Sequence, residues 1–171
     1  FMRILFLFLI FFHLQAFSQP HLQIPASDFR LPNQKGDSIS LLSLRGKVVI
    51  LDFWASWCAP CRVANKNLVK SYPRWKAKGV EIISISLDEN AKSWLAAVKK
   101  DRLTWIQLNE VKGWRSSVTT DWQINKIPAS FLIDQEGNVI GRDLAEVDLE
   151  KARSEEHTSE LQSHSDLVCR L

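Results

Sequence analysis

Trp57-Cys58-Ala59-Pro60-Cys61 is the stretch of this sequence best equipped for chemistry. Two thiols three positions apart span the first turn of a helix and can close a small disulfide ring. A cysteine at a helix start sits where free backbone N–H groups point. That placement favours the thiolate and draws its pKa below the ordinary value of about 8.5. Cys58 is therefore the expected nucleophile, and Cys61, one turn further in, can attack a mixed disulfide and release the product. Half of a zinc site and a purely structural disulfide are the competing uses of such a pair. Zinc wants two more ligands. No second C-x-x-C occurs, and the only histidines ahead of the final stretch are His13 and His21. A structural bridge over so short a loop stabilises little.

A redox pair of this kind has to be presented by a strand, a turn and a helix, and the flanking residues predict that order. Val48 to Trp54 is an apolar run interrupted by Asp52, the pattern of a strand buried on both faces. Beyond the cysteines, Ala64, Leu68, Tyr72 and Trp75 recur at near-helical spacing. Pro73 lies inside that helix and predicts a kink, or a new turn after Ser71. Val80 to Leu87 reads as the next strand, followed by a helix over Lys92 to Lys100 with Asp88 or Asn90 as its N-cap. Thr104 to Leu108 is a short extended piece and Ser116 to Trp122 a short helix. Ala129 to Ile133 and Asn138 to Arg142 form a hairpin around Asp134-Gln135-Glu136-Gly137. Upstream, Asp28 to Leu44 reads as two short strands about Asn33-Gln34-Lys35-Gly36, with Phe29/Leu31 and Ile39/Leu41 alternating. Asp148 to Ala152 begins a last helix that the final stretch cuts short. The expected fold is α/β: a central mixed sheet with helices on both faces, an N-terminal β-hairpin extension and a truncated last helix.

The two ends are of different character. Arg3 followed by the apolar run Ile4 to Phe12 and by Ala16-Phe17-Ser18 has the layout of a secretory signal peptide, residues 1–18. Its apolar core falls short of the ~20 residues of a membrane span, so an uncleaved anchor is the lesser alternative. Residues 153–171, RSEEHTSELQSHSDLVCRL, have no hydrophobic face at either period. They resemble a translated sequencing-adapter read-through and are expected to be non-native or disordered, which leaves Cys169, His157 and His164 without a role. The domain proper is residues 19–152. A net charge of +3 is too small and too scattered for a nucleic-acid partner, and three cysteines are too few for a disulfide-dense scaffold.

Leu51 to Cys61 (LDFWASWCAPC) and, about 65 residues on, Lys126 to Asp134 (KIPASFLID) together resemble the thioredoxin superfamily. The exported N-terminus, the leading hairpin with Asp28 to Leu31 (DFRL) and the segment inserted before Pro128 are most similar to the extracytoplasmic TlpA/ResA-type thiol–disulfide oxidoreductases. The resemblance spans roughly Pro25 to Ala152 and implies roles by position. Cys58 matches the exposed attacking cysteine, Cys61 the buried resolving one, and Pro128 the family's cis-proline. Trp57, Ala59, Pro60 and Ile127 match the surface that receives an extended substrate, Ile127 through its backbone. Asp52 matches the buried acid beneath the disulfide. Desolvation would raise its pKa and suit it to take the proton from Cys61. The lysine that often accompanies this acid on the next strand is replaced by Ser84. The glutamate and proline usual after the second cysteine are replaced by Ala64 and Lys66. Glu89 falls where some ResA-type proteins carry an active-site glutamate.

The resemblance implies an exported enzyme of the periplasm or cell envelope, a monomer with no cofactor or metal beyond its redox-active disulfide. It would exchange dithiol for disulfide with protein cysteines, more as a reductase than as an oxidant. Apocytochrome thiols or other oxidised envelope proteins would be its clients and a membrane-embedded electron donor its partner, with roles in cytochrome complex assembly or cell redox homeostasis. A thiol peroxidase is the main alternative, but such enzymes need Thr or Ser three residues ahead of the attacking cysteine, where this chain has Ala55. A metal-delivering or redox-silent binding module is the other. Copper-delivering relatives add a downstream histidine, and none occurs between His21 and His157.

Overall fold

A computed structural model describes residues 24–143. The leader, the helix expected from Asp148 and the final stretch with Cys169 lie outside the described residues.

The centre of the molecule is the strand that the apolar run predicts. β4 (Val48–Trp54) is buried at all seven positions, so both faces of the sheet it anchors must be covered. Ahead of it come β1 (Ile24–Pro25), β2 (Arg30–Pro32) and β3 (Ser38–Ser40). After it follow α1 (Ala59–Lys76), β5 (Val80–Ser86), α2 (Ala91–Asp101), β6 (Ile106–Asn109), α3 (Ser117–Asp121), β7 (Ala129–Ile133) and β8 (Asn138–Arg142). The main sheet has the order β1-β8-β7-β4-β5-β6. β4, β5 and β6 run parallel, while β7, β8 and β1 are joined by antiparallel pairings. This is the mixed sheet expected. The parallel part arises because β4 and β5 are linked through α1, and β5 and β6 through α2, as parallel neighbours require a crossover.

Side-chain alternation divides β4 between two cores. Val49, Leu51 and Phe53 face one with Phe29, Leu31, Ile83, Ile85, Phe131, Val118 and Trp122. Val48, Ile50 and Trp54 face the other with Tyr72, Trp75, Ile82, Trp94, Val98 and Trp105. Helices therefore cover both faces, α1 and α2 on one and α3 on the other. The six tryptophans outside the cysteine motif are mostly packing residues: all but the exposed Trp114 are buried.

β2 and β3 form a separate two-stranded hairpin. Its turn needs Gly36, whose φ of 89° is open to glycine at no steric cost. Asp28 secures it, accepting the Ser40 hydroxyl at 2.8 Å and the Leu42 N–H at 3.1 Å. Leu41 does not continue the β3 alternation; it begins a 3-10 turn, Leu41–Leu44, capped by the Ser40 side chain.

Two further expectations change. α1 runs unbroken through Pro73, with no restart after Ser71. The proline's missing N–H deprives only the carbonyl one turn back of its helical donor, and the ladder resumes where the Ala77 N–H closes onto the Pro73 carbonyl at 3.2 Å. Asn90, not Asp88, caps α2, its Oδ1 accepting the N–H of Lys92 at 2.9 Å. Asp88 is buried and engaged elsewhere. The edge pairing of Ile24–Pro25 with β8 carries no local strand signal in the sequence.

Candidate active site

The C-terminal ends of the parallel strands β4 and β5 lie at one edge of the sheet, and the chain leaves β4 there through Ala55, Ser56 and Trp57 into Cys58. Cys58 is the N-cap of α1, in extended backbone conformation, with Pro60 in the first turn. Proline suits that position because its missing N–H would have no intrahelical partner there. The Cys61 N–H donates to Cys58 Sγ at 3.2 Å, so an orphan donor of the helix start points at this sulfur. Cys58 and Cys61 are joined in a disulfide with a Cα–Cα distance of 5.3 Å. Cys61 is buried to 1% exposure as expected, but Cys58 is not the exposed cysteine that the resemblance implies: bridged to Cys61 and packed into the core beside the helix start, it is only 6% exposed. Ala59, Pro60 and Trp57 stay exposed on the outer side, Trp57 at 60%.

A hydrogen-bond system invisible to local sequence patterns holds the turn that delivers Cys58. Asp88, at the end of β5, accepts the Ser56 N–H at 2.8 Å, the Ser56 hydroxyl at 2.6 Å and the Ser86 hydroxyl at 2.6 Å. Arg62 on α1 donates to the Ser56 carbonyl at 3.0 Å and forms a two-point ion pair with Asp101 at the end of α2. Ser56, Asp88, Arg62 and Asp101 are thus site-supporting residues that sequence reasoning missed. Their partners lie 32 and 39 residues apart, beyond any local spacing rule.

Asp52 is 4% exposed on the α1 face of β4. It neither reaches solvent nor caps a turn. Burial pushes its carboxyl up to about 7, against the opposing pull of the Ser84 hydroxyl, which donates to Oδ2 at 3.1 Å. A carboxyl that changes charge near neutrality can hold or release a proton where thiols exchange. It lines a cavity of about 380 Å³ together with Leu68 and Trp75 of α1 and with Lys126, Pro128, Ser130 and Asp143.

The Ile127–Pro128 peptide is cis, as the resemblance implies. Ile127 is half-buried against both cores, and Pro128 leads straight into β7. Glu89 sits beyond the end of β5, largely exposed, in an ion pair of 3.2 Å with Arg115; it does not line the Asp52 cavity. Asn65 is another residue the sequence reading passed over. It is 1% exposed, and neither polar atom of its amide has a hydrogen-bond partner among the described residues. The spacing Cys61, Asn65, Leu68, Tyr72, Trp75 puts it on the buried stripe of α1, a signal that was available. Among the described residues no group of His, Cys, Asp and Glu is arranged to hold a metal ion, and no helix is long and apolar enough to cross a membrane.

A mixed sheet that delivers a Cys-x-x-Cys disulfide on a helix N-terminus, next to a cis-proline strand entry, defines a thiol–disulfide oxidoreductase of the thioredoxin fold. A family model described as AhpC/TSA family matches residues 22–142, and the chain belongs to that family. It is 34% identical over 121 residues to a thiol-disulfide oxidoreductase ResA of Bacillus cereus, covering 71% of this chain and 68% of that protein. The ResA of Bacillus subtilis (strain 168) is 30% identical over 115 residues, 67% of this chain and 63% of the relative. The chain thus spans about two thirds of the length of these relatives. Among solved structures, the thiol-disulfide oxidoreductase from Bacteroides fragilis NCTC 9343 superposes with a TM-score of 0.69 at 33% identity, over 77% of this chain and 98% of that one. The thioredoxin domain of a thiol-disulfide oxidoreductase from Bacteroides vulgatus gives 0.70 at 30% identity, over 77% and 94%. The TlpA/ResA-like assignment within the thioredoxin superfamily stands on these likenesses.

Proposed function

We propose that this protein is an exported reductase of protein disulfides, with Cys58 as nucleophile and Cys61 as resolving thiol. The observation that carries the assignment is the asymmetry of the pair. Cys58 is the helix N-cap with a backbone N–H aimed at its sulfur, and Cys61 is sealed one turn inside. In the reduced protein the N–H and the helix terminus favour a thiolate on Cys58. That thiolate attacks one sulfur of a client disulfide; the client S–S bond breaks and its other sulfur leaves as a thiolate that takes a proton from water. Asp52 then accepts the proton of Cys61, whose thiolate attacks Cys58 Sγ. The mixed disulfide breaks, the client leaves with both thiols, and the Cys58–Cys61 bridge holds the two electrons' worth of oxidation. A dithiol donor, membrane-embedded in this proposal, returns the pair to its reduced form. Trp57, Ala59, Pro60, Ile127 and Pro128 form the receiving surface for an extended client strand, the exposed Trp57 ring as its apolar contact.

Export is supported by the leader-like residues 1–18. The reducing direction and apocytochrome or other envelope clients rest on likeness to the ResA proteins. The peroxidase alternative is disfavoured by Ala55, a fully buried methyl where a peroxide-orienting hydroxyl would be needed. The test is trapping. Cys61→Ser, expressed in cells of the source type, should accumulate Cys58-linked mixed disulfides with envelope proteins, while the double variant Cys58→Ser/Cys61→Ser should capture none. Hydrogen-peroxide turnover faster than client reduction would overturn the proposal.

A further inference from the structure

Trp105, Ser84 and Asp52 form a buried, directional chain of hydrogen bonds running across neighbouring segments of one sheet. Asp52 on β4 and Ser84 on β5 are direct neighbours in the parallel register, and Ser84 is in turn beside Gln107 on β6. The Trp105 indole N–H donates to Ser84 Oγ at 2.8 Å, and Ser84 Oγ lies 3.1 Å from Asp52 Oδ2. Ser84 is fully buried, and Trp105 and Asp52 are each 4% exposed. An indole nitrogen can only donate, so Ser84 Oγ must act as acceptor toward Trp105. Its one hydrogen is left for the carboxylate.

We propose that Trp105 and Ser84 are a positioning pair for Asp52: the indole N–H occupies the acceptor side of the serine and commits the serine's single proton to Asp52 Oδ2. The donor is a neutral hydroxyl, so the carboxylate is oriented without being neutralised. This deepens the role of Asp52 as proton acceptor for Cys61 and rests on that role for its catalytic meaning, though not for its structural content.

The other groups facing Asp52 are few. α1 contributes Ala64, Asn67, Leu68 and Trp75 to the shared cavity and no charged side chain. The β7 side contributes Lys126 and Ser130, and Asp143 follows β8. Lys126 and Asp143 have exposed side chains of opposite sign at the cavity rim, screened by solvent and partly cancelling each other. None of these replaces the donor that Ser84 supplies. A hydrogen bond to the charged form of a carboxyl lowers its pKa, and losing one raises it by about one unit.

The experiment uses the full-length reduced protein and two readouts between pH 5 and 9. One is the midpoint of Asp52 ionisation from its carboxyl band in infrared difference spectra, assigned with Asp52→Asn. The other is the lifetime of the glutathione mixed disulfide on Cys58 after mixing with oxidised glutathione. Ser84→Ala should move the infrared midpoint up by about one pH unit, and the resolution profile with it. Ser84→Thr should restore both. Trp105→Phe should shift both in the same direction but less, because the serine proton is then released to other acceptors. An infrared midpoint in Ser84→Ala equal to that of the parent protein overturns the proposal. If Asp52→Asn leaves the resolution profile unchanged, the proton-acceptor role of Asp52 fails; the infrared midpoints of the Ser84 variants then still decide whether the pair orients it.

Discussion

Asp88 Oδ2 accepts the backbone N–H of Ser56 at 2.8 Å while its Oδ1 accepts the Ser56 hydroxyl at 2.6 Å. One buried carboxylate therefore clamps the turn that delivers Cys58 to the end of the neighbouring strand. Replacing Asp88 by Ala removes the acceptor for the buried Ser86 hydroxyl and for the hydroxyl and N–H of half-buried Ser56. The loss should cost about 2–4 kcal/mol in urea unfolding, since donors left unsatisfied in the interior carry most of the penalty. It should also slow alkylation of Cys58, because the helix start that favours its thiolate loses its mooring.

The pH dependence of Asp52 works against stability at neutral pH. Its folded pKa is raised to about 7, so the protonated form is preferred in the fold relative to the unfolded chain. The stability contributed by this preference is fully present below the ordinary carboxylate pKa, declines as pH rises and is gone above pH 7. Asp52→Asn should therefore stabilise the protein at pH 8 by an amount on the order of 4 kcal/mol at most, and by little at pH 4. Thermal unfolding of both forms across that range checks the sign: a variant less stable than the parent at pH 8 would contradict it.

Trp57 should separate binding from folding. With 60% of its surface exposed it packs little, so Trp57→Ala should change unfolding free energy by no more than about 0.5 kcal/mol. The same change should raise KM for a disulfide-containing protein substrate more than it lowers kcat, measured with saturating reductant.

The α2 cap offers a smaller effect with a clean control. Asn90 Oδ1 accepts the N–H groups of Lys92 and Ser93, so Asn90→Ala should cost about 1 kcal/mol and Asn90→Asp almost nothing. Chemical denaturation midpoints at constant m-value distinguish the two.

Much of the site was legible in the chain because its signals are local. Cys58 and Cys61 lie within one helical turn and seven residues of β4 are all buried; Ile127-Pro128, by contrast, reads locally as an ordinary proline at a strand entry, and only the family resemblance singled it out as cis. Asp52 was legible as an acid inside that run, where burial raises its pKa. Asn65 was legible only in principle: a polar residue in a helix is expected outside, and its place on the stripe of Cys61, Leu68 and Tyr72 became decisive once the helix was docked.

Apart from the edge strand Ile24–Pro25, the order of strands along the chain, the redox pair and the two-sided core follow from residue type and period, since backbone geometry maps period directly onto burial. Tertiary packing decided which of Asp88 and Asn90 would cap α2 and that Trp105 would reach Ser84 beside Asp52. Each of those outcomes depends on a partner brought close by the fold rather than by spacing: Asp88 was taken by Ser56 from 32 residues away, and the serine proton was directed by an indole from 21 residues away. A short-range pattern records what a side chain can do; only the folded neighbourhood selects which of its hydrogen bonds it makes.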